Sequence, residues 1–222
     1  MAPTPAGFLA ALPPEDQEAL RAAATVRRYD RGVALFHAGD DAGVVLVLVS
    51  GRVKVTSVSS DGKEVVLGVR GPGDLVGELS AVDGAPRSAT AVALEPVEAL
   101  GVPGARFTAL LGQRPGVALA LLRLVTARLR EADVQRLELA AVDVLGRVAR
   151  RLVELADRFG SATGEGVEIE LALSQEELAA WAGSSREAVS KALLALRTLG
   201  WVETHRRRIV VRDMDALRRH AA

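Results

Sequence analysis

Four polar side chains crowd the start of one amphipathic segment: Arg186, Glu187, Ser190 and Lys191. Residues three and four apart share a helix face, so a helix here lines them along its first two turns. An arginine can bridge guanine O6 and N7, and a glutamate can accept from cytosine N4, each good pair giving roughly 1–3 kcal/mol of discrimination. The chemistry open to this face is therefore hydrogen bonding to base edges. Downstream, Arg206, Arg207 and Arg208 form a cationic run suited to phosphate oxygens. Other chemistries are poorly supplied. The chain has no cysteine, which removes iron–sulfur clusters, thiolate zinc sites, disulfides and cysteine nucleophiles. His37, His205 and His220 form no ligand-spaced pair. There is no nucleophile–base–orienter set and no P-loop, so an enzyme is not expected.

The elements that must position these residues have their own marks. Leu173 to Gly183 reads as a helix with both ends labelled: Ser174 and Glu177 make a capping box, and Gly183 terminates it. Ser184 is expected to start a second helix, with Glu187 completing a second box. Two short helices joined by a glycine turn are the helix-turn-helix signature. Leu178, Ala179, Ala182, Val189, Leu193 and Leu196 supply the apolar faces. Gly200–His205 and Ile209–Arg212 then read as two strands around the arginine run, a wing.

Upstream, residues 15–29 read as a short amphipathic helix carrying Leu20 and Ala24. From Tyr29 to Val102, short Val, Leu and Ala runs alternate with Gly/Asp corners, the texture of a β-sandwich or barrel. Val53–Thr56 and Val65–Leu67 flank Asp61-Gly62 as a hairpin. Beyond Pro103 the pattern turns helical. Leu122, Val125, Leu129, Ala132 and Leu139, with Arg136 in the one interrupted position, make a coiled-coil-like seam over residues 115–139 and predict a dimer interface. A further helix is expected over 143–159, with Val144, Val148, Leu152, Leu155 and Phe159 on one face. Residues 160–166 read as a loop, Val167–Leu171 as a strand, and the domain boundary falls near 140–145. The fold class is α+β.

Composition refines this reading. Lys plus Arg and Asp plus Glu each number 28, a net charge of zero. The sum hides a gradient: residues 171–222 hold nine basic and six acidic residues, net +3, and residues 1–170 are net −3. Such asymmetry hints at nucleic-acid contact. The hydrophobic fraction, 49 %, is too high for a disordered chain. The first fourteen residues lack a basic n-region and an apolar h-region, and the longest apolar run, Val44–Val49, is far below a membrane span. With Met1 present, a cytoplasmic protein without membrane contact is expected.

Three stretches carry a resemblance. Gly77-Glu78-Leu79-Ser80, followed by Pro86-Arg87-Ser88-Ala89-Thr90-Ala91, resembles the phosphate-binding cassette of cyclic-nucleotide-binding domains. Ser184 to Leu193 resembles the recognition helix of the cyclic-AMP receptor protein (Crp/Fnr) family, and Val142 to Ala149 its hinge. The order is that family's over residues 8–212. The resemblance implies a jelly-roll-like β-roll sensor (1–114), a long dimerisation helix and hinge (115–142) and a winged helix-turn-helix (143–222). It also implies a ligand site of Gly77, Glu78, Leu79, Arg87 and Ser88, with Ala132 and Asp133 facing the base. Arg87 would pair with the cyclic phosphate beside the Ser88 hydroxyl, and Glu78 would accept from the ribose 2′-OH. The implied DNA-contacting set is Ser174, Gln175, Ser185, Arg186, Glu187, Ser190, Lys191, Arg206, Arg207 and Arg208, on half-sites like TGTGA. The implied partners are pseudo-palindromic double-stranded DNA, a second copy of the chain, and RNA polymerase at the Ser161–Gly166 loop.

The sequence departs from that pattern at three places. Relatives that bind cyclic AMP present Thr and then Ser or Asn where Ala132 and Asp133 stand. An ionised carboxylate only accepts, so Asp133 suits the adenine amino group and suits guanine N1–H and N2–H better. Cyclic AMP bound weakly, a guanine nucleotide, and no required ligand are the alternatives. Lys191 replaces an Arg, keeping the charge and losing the bidentate fork. The iron–sulfur and haem branches need cysteine or Cys/His ligands without counterpart here, so the expected effector is a cyclic nucleotide with no metal, haem or iron–sulfur cluster. A ligand-sensing subunit acting on a protein partner would not need residues 173–212.

Overall fold

The computed structural model describes residues 7–170, 173–205 and 207–221. Two compact units divide between Arg130 and Glu131.

The first unit opens with a 3₁₀ turn, Phe8–Ala11, and helix α1, Pro14–Ala22. Pro14 suits the first helical position, where its missing N–H would have no partner. The expected helix over 15–29 is corrected. The chain leaves the helix after Ala22, and Thr25–Tyr29 is strand β1. Thr25, Val26 and Tyr29 favour a pleated backbone, and the whole segment pairs with residues 97–101. Strands β2 (Ala34–Phe36), β3 (Val44–Ser50), β4 (Val53–Val58), β5 (Glu64–Arg70), β6 (Leu75–Val76), β7 (Thr90–Ala93) and β8 (Val97–Pro103) follow. They form two four-stranded antiparallel sheets, β1-β8-β3-β6 and β2-β7-β4-β5. The hairpin around Asp61-Gly62 is present, with Thr56 opposite Val66.

Strand β3 shows why the centre of the Val44–Val49 run, Val45–Leu48, is uninterrupted. Val45 and Val47 share a core with Leu20, Phe107 and Val117. Leu46 and Leu48 share the other core, between the sheets, with Val53, Ala91 and Ala93. A strand buried on both faces loses the polar alternation of a half-exposed one. Helix α2 (Glu78–Asp83) lies between β6 and β7, and α3 (Gly104–Gln113) and α4 (Pro115–Ala141) follow β8. Val117, Ala120 and Leu121 anchor the start of α4 in the first of the two cores. On the remainder of the seam, Leu122, Leu129 and Leu139 stay 63, 60 and 58 % exposed.

The second unit holds the end of α4, then α5 (Val144–Phe159), β9 (Ser161–Thr163), β10 (Gly166–Glu170), α6 (Gln175–Ala182), α7 (Arg186–Thr198), β11 (Val202–His205), β12 (Arg208–Val211) and α8 (Met214–His220). Val148, Leu152 and Leu155 of α5 are buried, as expected of one apolar face. The expected loop over 160–166 is corrected: Ser161–Thr163 pairs with β10, and the sheet order is β11-β12-β10-β9. The polar residues of β9 are those of a solvated edge strand. Leu171, assigned above to the strand, lies outside the described residues. Helix α8 extends the fold past Arg212. Asp213 caps it by accepting from the Ala216 N–H, and Arg218 and Arg219 sit in its last turn, where cations complement the helix dipole. The architecture is α+β: a two-sheet β-roll, a long helix and a winged helix-turn-helix.

Candidate functional site

Two sites emerge, one in each unit. In the first unit, Gly77 ends β6 in the left-handed region, at φ +80°, and a Cβ there would stand 2.5 Å from Arg87 Nη1. Only glycine meets both demands. The turn brings the Gly77 carbonyl to Arg87 Nη1, which donates to it at 2.5 Å, while Nη2 donates to the Val44 carbonyl at 2.5 Å. The guanidinium carbon stands 4.5 Å from the Phe36 ring centroid. Arg87 is 6 % exposed, and its Nε has no hydrogen-bond partner among the described residues. Desolvation by burial lowers its pKa from the ordinary arginine value, against the opposing fields of Glu78 and Asp40. Among the described residues no carboxylate forms an ion pair with Arg87.

Glu78 starts α2 and is 3 % exposed. Its counter-charge is Arg128 of α4, whose Nη1 donates to Glu78 Oε1 at 2.6 Å and whose Nη2 donates to the Leu75 carbonyl at 2.6 Å. Gly77, Glu78 and Arg87 are therefore gathered at one place, joined by Arg128. Leu79 and Ser88 lie exposed beside them in sequence. Ala132 and Asp133 belong to the second unit's part of α4, where Asp133 pairs with Arg136 at 3.2 Å.

The reader in the second unit is held by its caps. The Ser174 hydroxyl accepts from the Glu177 N–H and the Glu177 carboxylate accepts from the Ser174 N–H, the expected capping box. Gly183 closes α6 at φ +60°, with Leu139 Cδ2 2.5 Å from where a Cβ would stand. The expected second cap is corrected by one residue. Ser185, not Ser184, accepts from the Ala188 N–H and starts α7 at Arg186. Arg186, Glu187 and Lys191 stand exposed in its first two turns. Ser190 is half-buried rather than exposed, and its hydroxyl donates to Gln175 Oε1 at 3.1 Å, tying α7 to α6. The Glu187 carboxylate is held below its ordinary pKa by its own backbone N–H, by the Ser185 hydroxyl, and by the charges of Arg186 and Lys191.

The wing is more self-paired than its arginine run suggests. Arg206 lies outside the described residues. Arg207 takes the left-handed turn at φ 59° and is exposed. Arg208 belongs to β12 and reaches Glu168 at 3.2 Å, and Arg212 reaches Glu165 at 3.0 Å and Glu203 at 2.9 Å. In the segment expected to act as a hinge, Asp143 caps α5 by accepting from the Gly146 N–H at 2.8 Å. Arg147 donates to the carbonyls of Val142 at 2.5 Å and Ala182 at 2.7 Å, joining the end of α4 to the end of α6.

A β-roll with a buried arginine, followed by a capped helix-turn-helix with a wing, defines a DNA-binding protein that carries a separate β-roll domain. The comparisons agree. Residues 26–114 match the cyclic nucleotide-binding domain family, and residues 146–220 the Crp-like helix-turn-helix domain. The chain is 34 % identical over 193 residues to the CRP-like cAMP-activated global transcriptional regulator of Mycobacterium tuberculosis, covering 87 % of this chain and 86 % of the relative. It is 36 % identical over 191 residues to the cyclic AMP receptor protein of Thermus thermophilus, covering 86 and 85 %. Among solved structures, FixK2 from Bradyrhizobium japonicum superposes with a TM-score of 0.80 at 26 % identity, covering 90 % of this chain and 98 % of that one. The chain belongs to the Crp/Fnr family of transcription regulators. It is a DNA-binding regulator with a cyclic nucleotide-binding domain, and not an enzyme.

Proposed function

We propose that this protein acts as a homodimer that binds a pseudo-palindromic DNA site under control of a cyclic nucleotide in its β-roll. Arg87 carries the reading. A guanidinium buried without a carboxylate partner is costly, and a cyclic phosphate supplies the missing negative charge through charge-assisted hydrogen bonds. Ser88 adds a hydroxyl at the rim, beside Leu79, and Gly77 lets the backbone approach the sugar. Glu78 accepts from the ribose 2′-OH while its ion pair with Arg128 fixes the position of the carboxylate. Two curated relatives are named for cyclic AMP, which makes it the first effector to test. Asp133, with acceptors only, and Ala132, with neither donor nor acceptor, favour a guanine base over adenine at this position.

The exposed leucines of α4 support pairing with a second copy. A two-fold dimer places recognition helices in successive major grooves, with half-site centres about 34 Å apart. Arg186, Glu187 and Lys191 then face base edges. Ser174, Gln175, Ser185, Ser190, Arg207 and Arg208 stand at or behind the backbone, with Arg206 beside them in sequence. The β9–β10 hairpin around Ser161–Gly166 is the proposed contact for RNA polymerase. A gel shift on a selected dyad, with and without cyclic AMP, tests the reading. Ligand-enhanced binding is expected, and binding unaffected by any cyclic nucleotide overturns ligand control. Calorimetry with cyclic AMP and cyclic GMP decides the base.

A further inference from the structure

A buried charge cluster in the second unit has no place in either site. Glu138, in the last turns of α4, is 5 % exposed. Arg151 Nη2 donates to its Oε2, and Arg150 Nε closes an ion pair on Oε1 at 2.5 Å. Arg151 is itself 3 % exposed. Its Nη1 donates to Glu154 Oε2 at 2.9 Å, and its guanidinium carbon lies 5.5 Å from the Trp181 ring centroid of α6. One residue along α4, Leu139 packs against Gly183, which ends α6 and opens the turn into α7. The last turns of α4 thus reach α6 by two routes, one ionic and one apolar.

Apolar contacts tolerate sliding and rotation. A buried carboxylate between two arginines does not, because any displacement leaves a desolvated charge without its partner. Buried ion pairs add little net stability over well-packed apolar residues, and their best-attested use is to specify register.

We infer that Glu138 is a positioning residue for DNA binding: through Arg151 and Trp181 it sets the rotation of the end of α4 against α6, and so the presentation of α7. The inference rests on the ligand-controlled regulator reading for one of its two readouts. The test compares wild type with E138L/R151M, which removes the two most buried charges of the cluster, keeps similar volume and leaves the more exposed Arg150 and Glu154 in place. DNA affinity on a selected dyad, with and without cyclic nucleotide, is measured beside the melting temperature. The melting temperature of the double variant is expected at or above that of wild type. Its liganded DNA affinity is expected to fall at least about tenfold, about 1.4 kcal/mol, and its ligand-dependent gain to approach one. A role in stability alone predicts the opposite pair of results. A folded double variant with wild-type DNA affinity overturns the inference. Should wild type bind DNA without any ligand-dependent gain, the ligand-control reading fails, and DNA affinity alone still judges Glu138. If the double variant does not fold, E138D, which keeps the charge and shortens its reach, carries the same comparison under the same two criteria.

Discussion

Arg87 is the residue whose surroundings a ligand would change most, and its substitution separates binding from folding. Arg87→Gln removes a desolvated cation, so the unliganded protein is expected to keep or raise its melting temperature. Nucleotide binding in the same variant is expected to weaken at least about 100-fold, because each charged hydrogen bond contributes ~1.5–3 kcal/mol; calorimetry reads the loss. Glu187 makes the matching prediction on the DNA side. Its pKa lies below the ordinary glutamate value, so the carboxylate is ionised, and able to accept from cytosine, from about pH 5 upward. Base preference at its position should be flat from about pH 5.5 to 8 and relax in Glu187→Ala, as read by site selection at each pH. A preference that titrates near neutrality would remove Glu187 from base readout. Glu78 and Arg87 were legible because a short motif holds both. Arg128 was not. Its partner lies fifty residues away in the chain, and no helical spacing announces a pairing formed only when α4 meets β6 and α2.

The helix-turn-helix is where local sequence decides most, and its caps are open to measurement. Ser185→Ala is expected to lose ~1 kcal/mol from the loss of the N-cap, seen as a fall in melting temperature. Gly183→Ala combines a left-handed backbone with a Cβ pressed on Leu139 and should cost more, about 2 kcal/mol. Equal melting temperatures for the two variants would refute the packing half of that account. The same elements show what the sequence reveals. Ser174, Glu177 and Gly183 act on neighbours within a few residues, so α6 could be bounded from the sequence. The second cap is ambiguous by one residue in the sequence because Ser184 and Ser185 are both competent, and only the backbone geometry chooses Ser185. Strand β1 is illegible for a different reason. Arg27 and Arg28 suit a helix surface as well as a strand edge, and what makes Thr25–Tyr29 a strand is β8, some seventy residues away. The hairpin strand β9 is likewise defined by its partner. Helix α8 has a readable start in Asp213 and a readable end in Arg218 and Arg219, a signal that lies beyond the span of the family resemblance.

At the scale of the whole molecule, the seam of α4 predicts assembly. Leu129→Glu places a charge among exposed leucines. It is expected to give monomers by analytical ultracentrifugation and to weaken binding to a full dyad far more than to an isolated half-site. A dimer unaffected by this change would move the interface elsewhere. The chain's closing segment carries a genetic consequence. Leu217 is fully buried, the Ala221 carbonyl accepts from Arg150 of α5, and Arg218 reaches Asp157 at 2.5 Å. The last residues of α8 thus complete the reader, whereas the β-roll and the exposed leucines of α4 are finished long before them. A nonsense codon near Asp213 would therefore spare the proposed pairing surface and spoil the DNA-binding half. Such an allele is expected to be dominant: its product would enrol intact subunits into mixed dimers with one reader, and repress the wild-type gene's output by titration instead of by loss.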